Sequence, residues 1–296
     1  MNNITLKQLR YFEALAAEAH FGRAADACAI SQPALSVQIK ELEQSLGVAL
    51  FERGPRQVRL TAFGEEFGAR ARDILRAVDG LGDLARATQC GLVGRLRIGV
   101  IPTIAPYLLP TLISDLATRH PDLDVHVRET VTARLVDELH AGKIDTAIVA
   151  LPIADAALTE TALFTEDLVL VRPAADAALP TPDQAALRDM RLLLLEEGHC
   201  FRDHALSFCN IGGGRPRDGL DGTSLSTLVQ MVGAGIGVTL IPDMAVEIET
   251  KSAPVGIARF AEPQPTRTVG MVWRNSNPLA NQLTELAAIV QTCAGH

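Results

Sequence analysis

The hydrophobic positions of the chain change period at two places, and the changes divide it into three parts. Leu6, Leu9, Phe12 and Leu15 recur at helical spacing with Arg10 and Glu13 between them, which predicts an amphipathic helix. The run from Phe21 to Cys28 predicts a second, short helix of small residues. A third starts at Ser31, a good N-cap, with Pro33 in a first turn that does not need its N–H. It continues through Val37, Ile39, Leu42 and Leu46 to Gly47, a suitable C-cap. Leu50 to Leu60 reads as a small β-wing. From Thr61, Phe67, Ala71, Ile74, Val78, Leu81, Ala85 and Thr88 alternate steps of four and three. That is a coiled-coil seam, and it calls for a partner helix. Beyond Gly91 and Gly94 the pattern becomes short apolar runs alternating with helical ones. Strands are predicted at 96–101, 123–128, 146–150, 168–171, 192–195, 238–241 and 267–273, and helices at about 105–118, 132–141, 224–232 and 279–290. Alternating β and α predicts a parallel sheet flanked by helices, in two α/β subdomains with a cleft at the C-terminal strand edges.

The domain reading follows from these periods. Residues 1–60 form an all-α winged helix-turn-helix, 61–90 a linker and dimerisation helix, and 91–296 an α/β body. Within the body, subdomain I covers about 91–165 and 269–296, and subdomain II about 166–268.

Of the 296 residues, 48% are hydrophobic, enough for a large core. No apolar run approaches a membrane span and the N-terminus lacks the apolar stretch of an export signal, so a cytoplasmic protein without membrane contact is expected. The five cysteines are odd in number and show no C-x-x-C spacing, which points to reduced thiols and no metal site. Gly212-Gly213-Gly214 lacks the Lys-Ser/Thr of a phosphate loop, no serine-centred elbow is present, and His120, His126, His140 and His204 are scattered as surface or packing residues. No cofactor is implied.

The first ninety residues balance 11 Lys+Arg against 11 Asp+Glu, so the whole net charge of −8 lies in the remainder. A neutral reading head on an acidic body suits a DNA-binding module. Ser31, Gln32, Ser36, Gln38 and Lys40 would face outward on the third helix, with hydroxyl, amide and ammonium groups of the kind that meet phosphates and base edges. Arg53, Arg56 and Arg59 of the wing could reach the backbone or minor groove. On these residues alone, an ordinary helical bundle with a solvated polar face remains the alternative.

The stretch Glu196 to Cys209 carries the candidate chemistry. Gly198 permits a sharp turn. Phe201, Ala205, Phe208 and Cys209 recur on one helical face, so Cys200 should open a helix, where N–H groups favour an anion. His199 and Arg202 flank it as groups able to carry positive charge, which favours the reactive thiolate. Two small apolar residues filling a core is the competing reading of Cys200 and Cys209. Cys28 and Cys90 have no charged surroundings and read as structural or incidental.

Phe21-x-Arg23-Ala24-Ala25, Ser31-Gln32-Pro33-Ala34-Leu35-Ser36, Ile39-x-x-Leu42-Glu43-x-x-Leu46-Gly47, Leu50-Phe51-x-Arg53 and Leu60-Thr61-x-x-Gly64 resemble the winged helix-turn-helix of LysR-type transcriptional regulators. The resemblance implies that Ser31, Gln32 and Pro33 face DNA, that the linker helix makes a dimer, and that the body is an effector domain similar to periplasmic binding proteins, with two Rossmann-like subdomains. Ile101-Pro102-Thr103-x-x-Pro106-Tyr107, Glu197-Gly198-His199-Cys200-x-Arg202-Asp203-x-Ala205-x-x-Phe208-Cys209 and Thr223-Ser224-Leu225-x-Thr227-Leu228 further resemble the peroxide-sensing branch of that family. This implies Cys200 as the peroxide-reacting thiol, Cys209 as its resolving partner, and a pocket of Thr103, Thr132, His199, Asp203 and Arg267. It also implies operator DNA, hydrogen peroxide as signal, dimers pairing to a tetramer, RNA polymerase, and a cellular thiol reductant for resetting. Asn210 to Asp218 departs in composition from that branch. The rival readings are a regulator of the same family that takes a small anion or metabolite in the cleft, a thiol peroxidase, and an exported binding protein. The helix-turn-helix speaks against the second and the missing export signal against the third.

Overall fold

The structure, a computed structural model, describes residues 4–53, 58–88, 91–208, 221–262 and 264–295. It divides into two compact units, one up to Ala85 and one from Arg86 onward.

In the first unit, α1 (Leu6–Glu18) opens with a reciprocal cap between Thr5 and Gln8, and α2 (Phe21–Ala27) opens on the His20 ring, which accepts from the Gly22 N–H at 3.1 Å. Helix α3 (Gln32–Leu46) is capped by Ser31 and ends on Gly47 in the left-handed region, φ 72°. Strands β1 (Phe51–Arg53) and β2 (Val58–Leu60) pair antiparallel as the wing. The Glu43 carboxylate accepts from the Leu50 and Phe51 N–H groups at 2.8 and 3.2 Å, tying α3 to the wing. Helix α4 (Ala62–Ala87) starts on Thr61, whose hydroxyl accepts from the Gly64 N–H at 2.9 Å.

The predicted seam on α4 needs correction at its N-terminal end. Ala71 is 1% exposed within the core of its own unit, Leu75 is buried with it, and Phe67 packs edge-on against Phe12 at 5.0 Å. These side chains close the helix-turn-helix core rather than waiting for another helix. The apolar groups left in water are Ile74 at 48%, Leu81 at 66% and Leu84 at 57% exposure, with Val78 half-buried and Ala85 exposed.

The second unit contains β3 (Gly94–Val100), α5 (Ala105–Arg119), β4 (Leu123–Glu129), α6 (Thr132–His140), β5 (Thr146–Leu151), β6 (Leu158–Pro173), α7 (Gln184–Asp189), β7 (Leu194–Leu195), α8 (Cys200–Phe208), β8 (Asp221–Gly222), α9 (Leu225–Gly233), β9 (Thr239–Pro242), α10 (Val246–Glu249), β10 (Val255–Ala258), β11 (Thr266–Arg274) and α11 (Ala280–Ala294). The main sheet has the order β10-β6-β11-β5-β3-β4, with β9 also paired to β6. It is mixed, not parallel as the alternation of elements predicts. Only β3 with β4 and β5 runs parallel there; β11 is antiparallel to both β5 and β6, and β6 is antiparallel to β9 and β10. The short pair β7–β8 is parallel.

The sequence shows only residues 168–171 of β6, a strand of 16 residues. Its first nine residues include Thr159, Glu160, Thr161, Thr165 and Glu166, too polar to register as a strand; pairing with β11 at nine positions holds it. Two cores result. Ile98, Leu135, Ile148, Trp273 and Leu283 belong to the first, and Val169, Leu170, Leu193, Val229 and Ile241 to the second. Strand β6 runs from the first to the second. At Gly270 the β11 ladder is irregular, and a Cβ there would lie 2.3 Å from Leu151 Cδ1 and 2.9 Å from the Thr161 carbonyl. Only glycine lets the strands approach so closely.

Candidate functional site

Three chain segments deliver the site, each running from a strand end to a helix start. Ile101-Pro102-Thr103 links β3 to α5, Val131-Thr132 opens α6, and Gly198-His199-Cys200 opens α8 after β7. Gly198 makes the last turn at φ 96°, in the left-handed region. All of these but Gly198, together with Phe201, line a closely packed pocket that leaves no clear space for a water-sized molecule. The starts of three helices thus converge on one small volume, and the free N–H groups at each favour an anion there.

Cys200 is the first residue of α8, as its sequence surroundings predict, and is half-buried. Behind it Phe201 and Ala205 are buried in the second core, and Phe208 meets Phe260 edge-on at 5.0 Å.

The flanking cations are not where the sequence suggests. Arg202 is buried, and its Nη1 donates to the Leu195 carbonyl and to Asp221 Oδ1, both at 2.7 Å. It anchors α8 to the ends of β7 and β8. Burial holds the His199 imidazole below the ordinary histidine range, against the opposing pull of Glu196, so the ring is neutral at physiological pH.

Arg267 is held by partners of its own. Its Nε donates to Glu166 Oε1 at 2.8 Å, its Nη1 to Thr103 Oγ1 at 2.8 Å and its Nη2 to the Thr103 carbonyl at 2.9 Å. The guanidinium lies 5.4 Å from the Phe201 ring. Its charge is therefore met by Glu166, a residue the sequence does not single out. The two stand directly opposite each other on β6 and β11. Thr103 is 2% exposed. The Thr132 hydroxyl is buried and has no hydrogen-bond partner, an unusual state for a buried polar group.

Of the remaining predicted residues, Cys209 and Arg56 lie outside the described residues, as do Cys90 and the side chains of Asp203 and Arg53. Burial pushes the thiols of Cys28 and Cys293 up from their ordinary values, away from reactivity.

Beside the tight cavity lies a larger one of about 740 Å³, which shares Thr132 and Cys200. Its lining carries Asp137 and Asp155 and neither lysine nor arginine. Asp155 is held below the usual carboxylate range by the Ala157 N–H and by His140. Such a cleft is poorly built for a small anion. Just beyond Thr103, Tyr107 on α5 donates to Glu249 Oε1 at 2.6 Å, and Ser226 donates to Glu249 Oε2 at 2.5 Å. This brace joins the two lobes and was also not visible from the sequence.

On the first unit, Ser31, Gln32, Pro33 and Lys40 are exposed, while Ser36 and Gln38 are half-buried. The Ser31 hydroxyl is occupied as a cap at 3.4 Å, and the Gln38 amide donates to Glu41 at 2.7 Å. Val37, which the sequence reading places inside the helix, is 53% exposed.

Two sequence profiles match the chain: the bacterial regulatory helix-turn-helix protein, lysR family, at residues 6–65, and the LysR substrate binding domain at residues 90–294. The chain is 43% identical over 297 residues to a probable hydrogen peroxide-inducible genes activator of Streptomyces viridosporus, covering 97% of this chain and 93% of that one. It is 40% identical over 293 residues to the DNA-binding transcriptional dual regulator OxyR of Escherichia coli, covering 97% and 95%. Among solved structures, a full-length cysteine-to-aspartate variant of OxyR from Pseudomonas aeruginosa superposes with a TM-score of 0.77 at 39% identity, covering 99% of this chain and 96% of that one. A cysteine-to-serine variant of Corynebacterium glutamicum OxyR with hydrogen peroxide bound gives 0.68 at 36% identity, covering 98% and 92%.

Proposed function

Because the chain belongs to the LysR family of bacterial regulators, we propose that it is a DNA-binding transcriptional regulator whose signal is hydrogen peroxide and whose sensor is the Cys200 thiol. The observation that carries this reading is the cavity itself. Where three helix starts meet, Cys200 shares a space too tight for bulky ligands with Thr103 and Thr132, the second of which has a buried hydroxyl without a partner. A peroxide molecule supplies both the acceptors and the donors that such hydroxyls lack. The Streptomyces and Escherichia relatives named for peroxide and for DNA support the same reading.

The thiolate attacks one peroxide oxygen to give a sulfenic acid, and the thiol of Cys209 then displaces water from it to form a disulfide. Helix α8 spans nine residues, so its ends stand about 12 Å apart at about 1.5 Å per residue. A disulfide tolerates roughly 7 Å between Cα atoms. Joining Cys200 to a residue just past the helix requires α8 to unwind and Phe208 to leave Phe260. Such a two-state segment couples chemistry to subunit arrangement. Amide exchange of the reduced and peroxide-treated protein tests this: protection across 201–208 should fall once the Cys200–Cys209 bond is mapped. Unchanged protection with that bond present would overturn the unwinding.

The helix-turn-helix places α3 in the major groove. Lys40, exposed on α3, serves the phosphates, and Ser36 a base edge. Replacing Lys40 by alanine should weaken binding to all sequences alike and flatten the salt dependence by about one unit of slope. Ser36→Ala should instead relax preference at one base position. Identical binding isotherms on operator DNA across a salt series for both variants would remove α3 from the interface.

The protein acts in the cytoplasm as dimers that pair into tetramers, recruits RNA polymerase when oxidised, and is reset by a cellular thiol reductant. Among the described residues, no helix is long and apolar enough to cross a membrane.

A further inference from the structure

We infer that Glu166 is a positioning residue for the peroxide reaction, acting through Arg267 to hold the Thr103 hydroxyl as a hydrogen-bond donor into the cavity. The inference rests on Cys200 being the peroxide-reacting thiol.

An arginine only donates. Because Arg267 Nη1 donates to Thr103 Oγ1 at 2.8 Å, that oxygen accepts there, and its own hydrogen is left for another acceptor. Thr103 is buried and lines the cavity it shares with Cys200. Among the described residues no acceptor takes that hydrogen. The two cavity threonines therefore differ: Thr103, with one lone pair engaged by Arg267, is biased towards donating its hydrogen, while Thr132, with no partner, turns either way.

Glu166 is what makes this arrangement of Arg267 stable. Its Oε1 lies 2.8 Å from Nε and 2.7 Å from Nη2, its Oε2 accepts from the Met244 N–H at 3.2 Å, and both side chains are buried. The carboxylate neutralises the guanidinium and fixes its fork so that the outer nitrogens meet Thr103. With the carboxylate gone, the buried cation would be uncompensated and its fork free to leave Thr103.

The reaction needs the donor at one moment. The Cys200 thiolate gives an electron pair to one peroxide oxygen, an S–O bond forms and the O–O bond breaks. The bonding pair leaves on the distal oxygen as hydroxide, which takes a proton from the new sulfenic acid or from solvent to become water. Sulfur is oxidised by two electrons and the peroxide is reduced by two. Negative charge grows on the distal oxygen, where a pre-aimed hydroxyl hydrogen stabilises it. Alkylation of the same thiolate by iodoacetamide expels iodide, which needs no such donor.

The ratio of the peroxide rate to the iodoacetamide rate at one pH, measured on the reduced full-length protein, isolates the donor from thiolate content and from access. Glu166→Gln keeps the shape and an acceptor oxygen but removes the charge. It should lower the ratio by at least about tenfold, with alkylation unchanged or faster. Thr103→Val should lower the ratio likewise, and Thr103→Ser should restore it. If Glu166→Gln slows both reactions by the same factor, Glu166 only supports the fold and the inference is wrong. If that variant does not fold, Arg267→Lys and Thr103→Val decide: a wild-type ratio in both overturns it. A wild-type protein whose peroxide rate does not exceed that of free cysteine would overturn the sensing reading itself, before any variant is made.

Discussion

Cys200→Ser should abolish the response to peroxide, with the protein's peroxide rate falling to that of its remaining thiols. A serine hydroxyl is a far weaker nucleophile than a thiolate, so the peroxide meets nothing there that can attack it. Burial pushes the thiols of Cys28 and Cys293 away from the reactive form, so neither should substitute. Intact mass after a stoichiometric peroxide pulse gives the readout. Wild type should lose two hydrogen atoms per chain through the disulfide. Cys209→Ser should gain about 16 Da as sulfenic acid, and Cys200→Ser should not change. A wild-type rate in Cys200→Ser would place the chemistry at another thiol.

The second large effect concerns α4. Ile74 and Leu81 stand in water along one side of the helix, and burying such a side chain is worth about 1.5–3 kcal/mol. A symmetric pair of helices counts each residue twice. Ile74→Asp with Leu81→Asp removes this gain and sets like charges across the seam. The protein should then sediment as a monomer at concentrations where wild type is a dimer. Operator affinity should fall by roughly a hundredfold or more, because two linked reading heads gain roughly 10² or more over one. Phe67→Ala tests the corrected boundary: with its ring packed on Phe12, it should lower the melting temperature and leave the dimer intact. A double aspartate variant that keeps its mass would show that α4 is no interface.

What was legible in the chain was local. Ser31, Gly47 and Thr61 mark helix ends because a cap acts within three or four residues, and Gly198 with the apolar spacing behind it located the start of α8 for the same reason. What was not legible depends on partners far along the chain. Glu166 acquires meaning only from the register that sets it opposite Arg267, and the polar half of β6 is a strand only because β11 is beside it. Arg202 and His199 have the right chemistry to attend a thiolate, but one is committed to Asp221 and the other is kept neutral by burial. Ala71 has a perfect heptad position and a neighbour within its own unit. Pattern reveals which face of a helix is apolar, not which surface covers it.

The long pairing of β6 with β11 also constrains how a signal can begin. Two lobes that shared only short connections could breathe against each other, and random closure would imitate a bound ligand. Here β6 runs without a break from Leu158 in the first core to Val171 in the second, and β11 is laddered to it along nine positions, so thermal swinging of the lobes is stiffly resisted. The frame stays still while one nine-residue helix carries the reactive thiol and does the moving. A sensor of this construction has a quiet resting state: its false alarms come from spontaneous fraying of α8, set by the seating of Phe201 and Phe208, and not from the flexing of the whole domain.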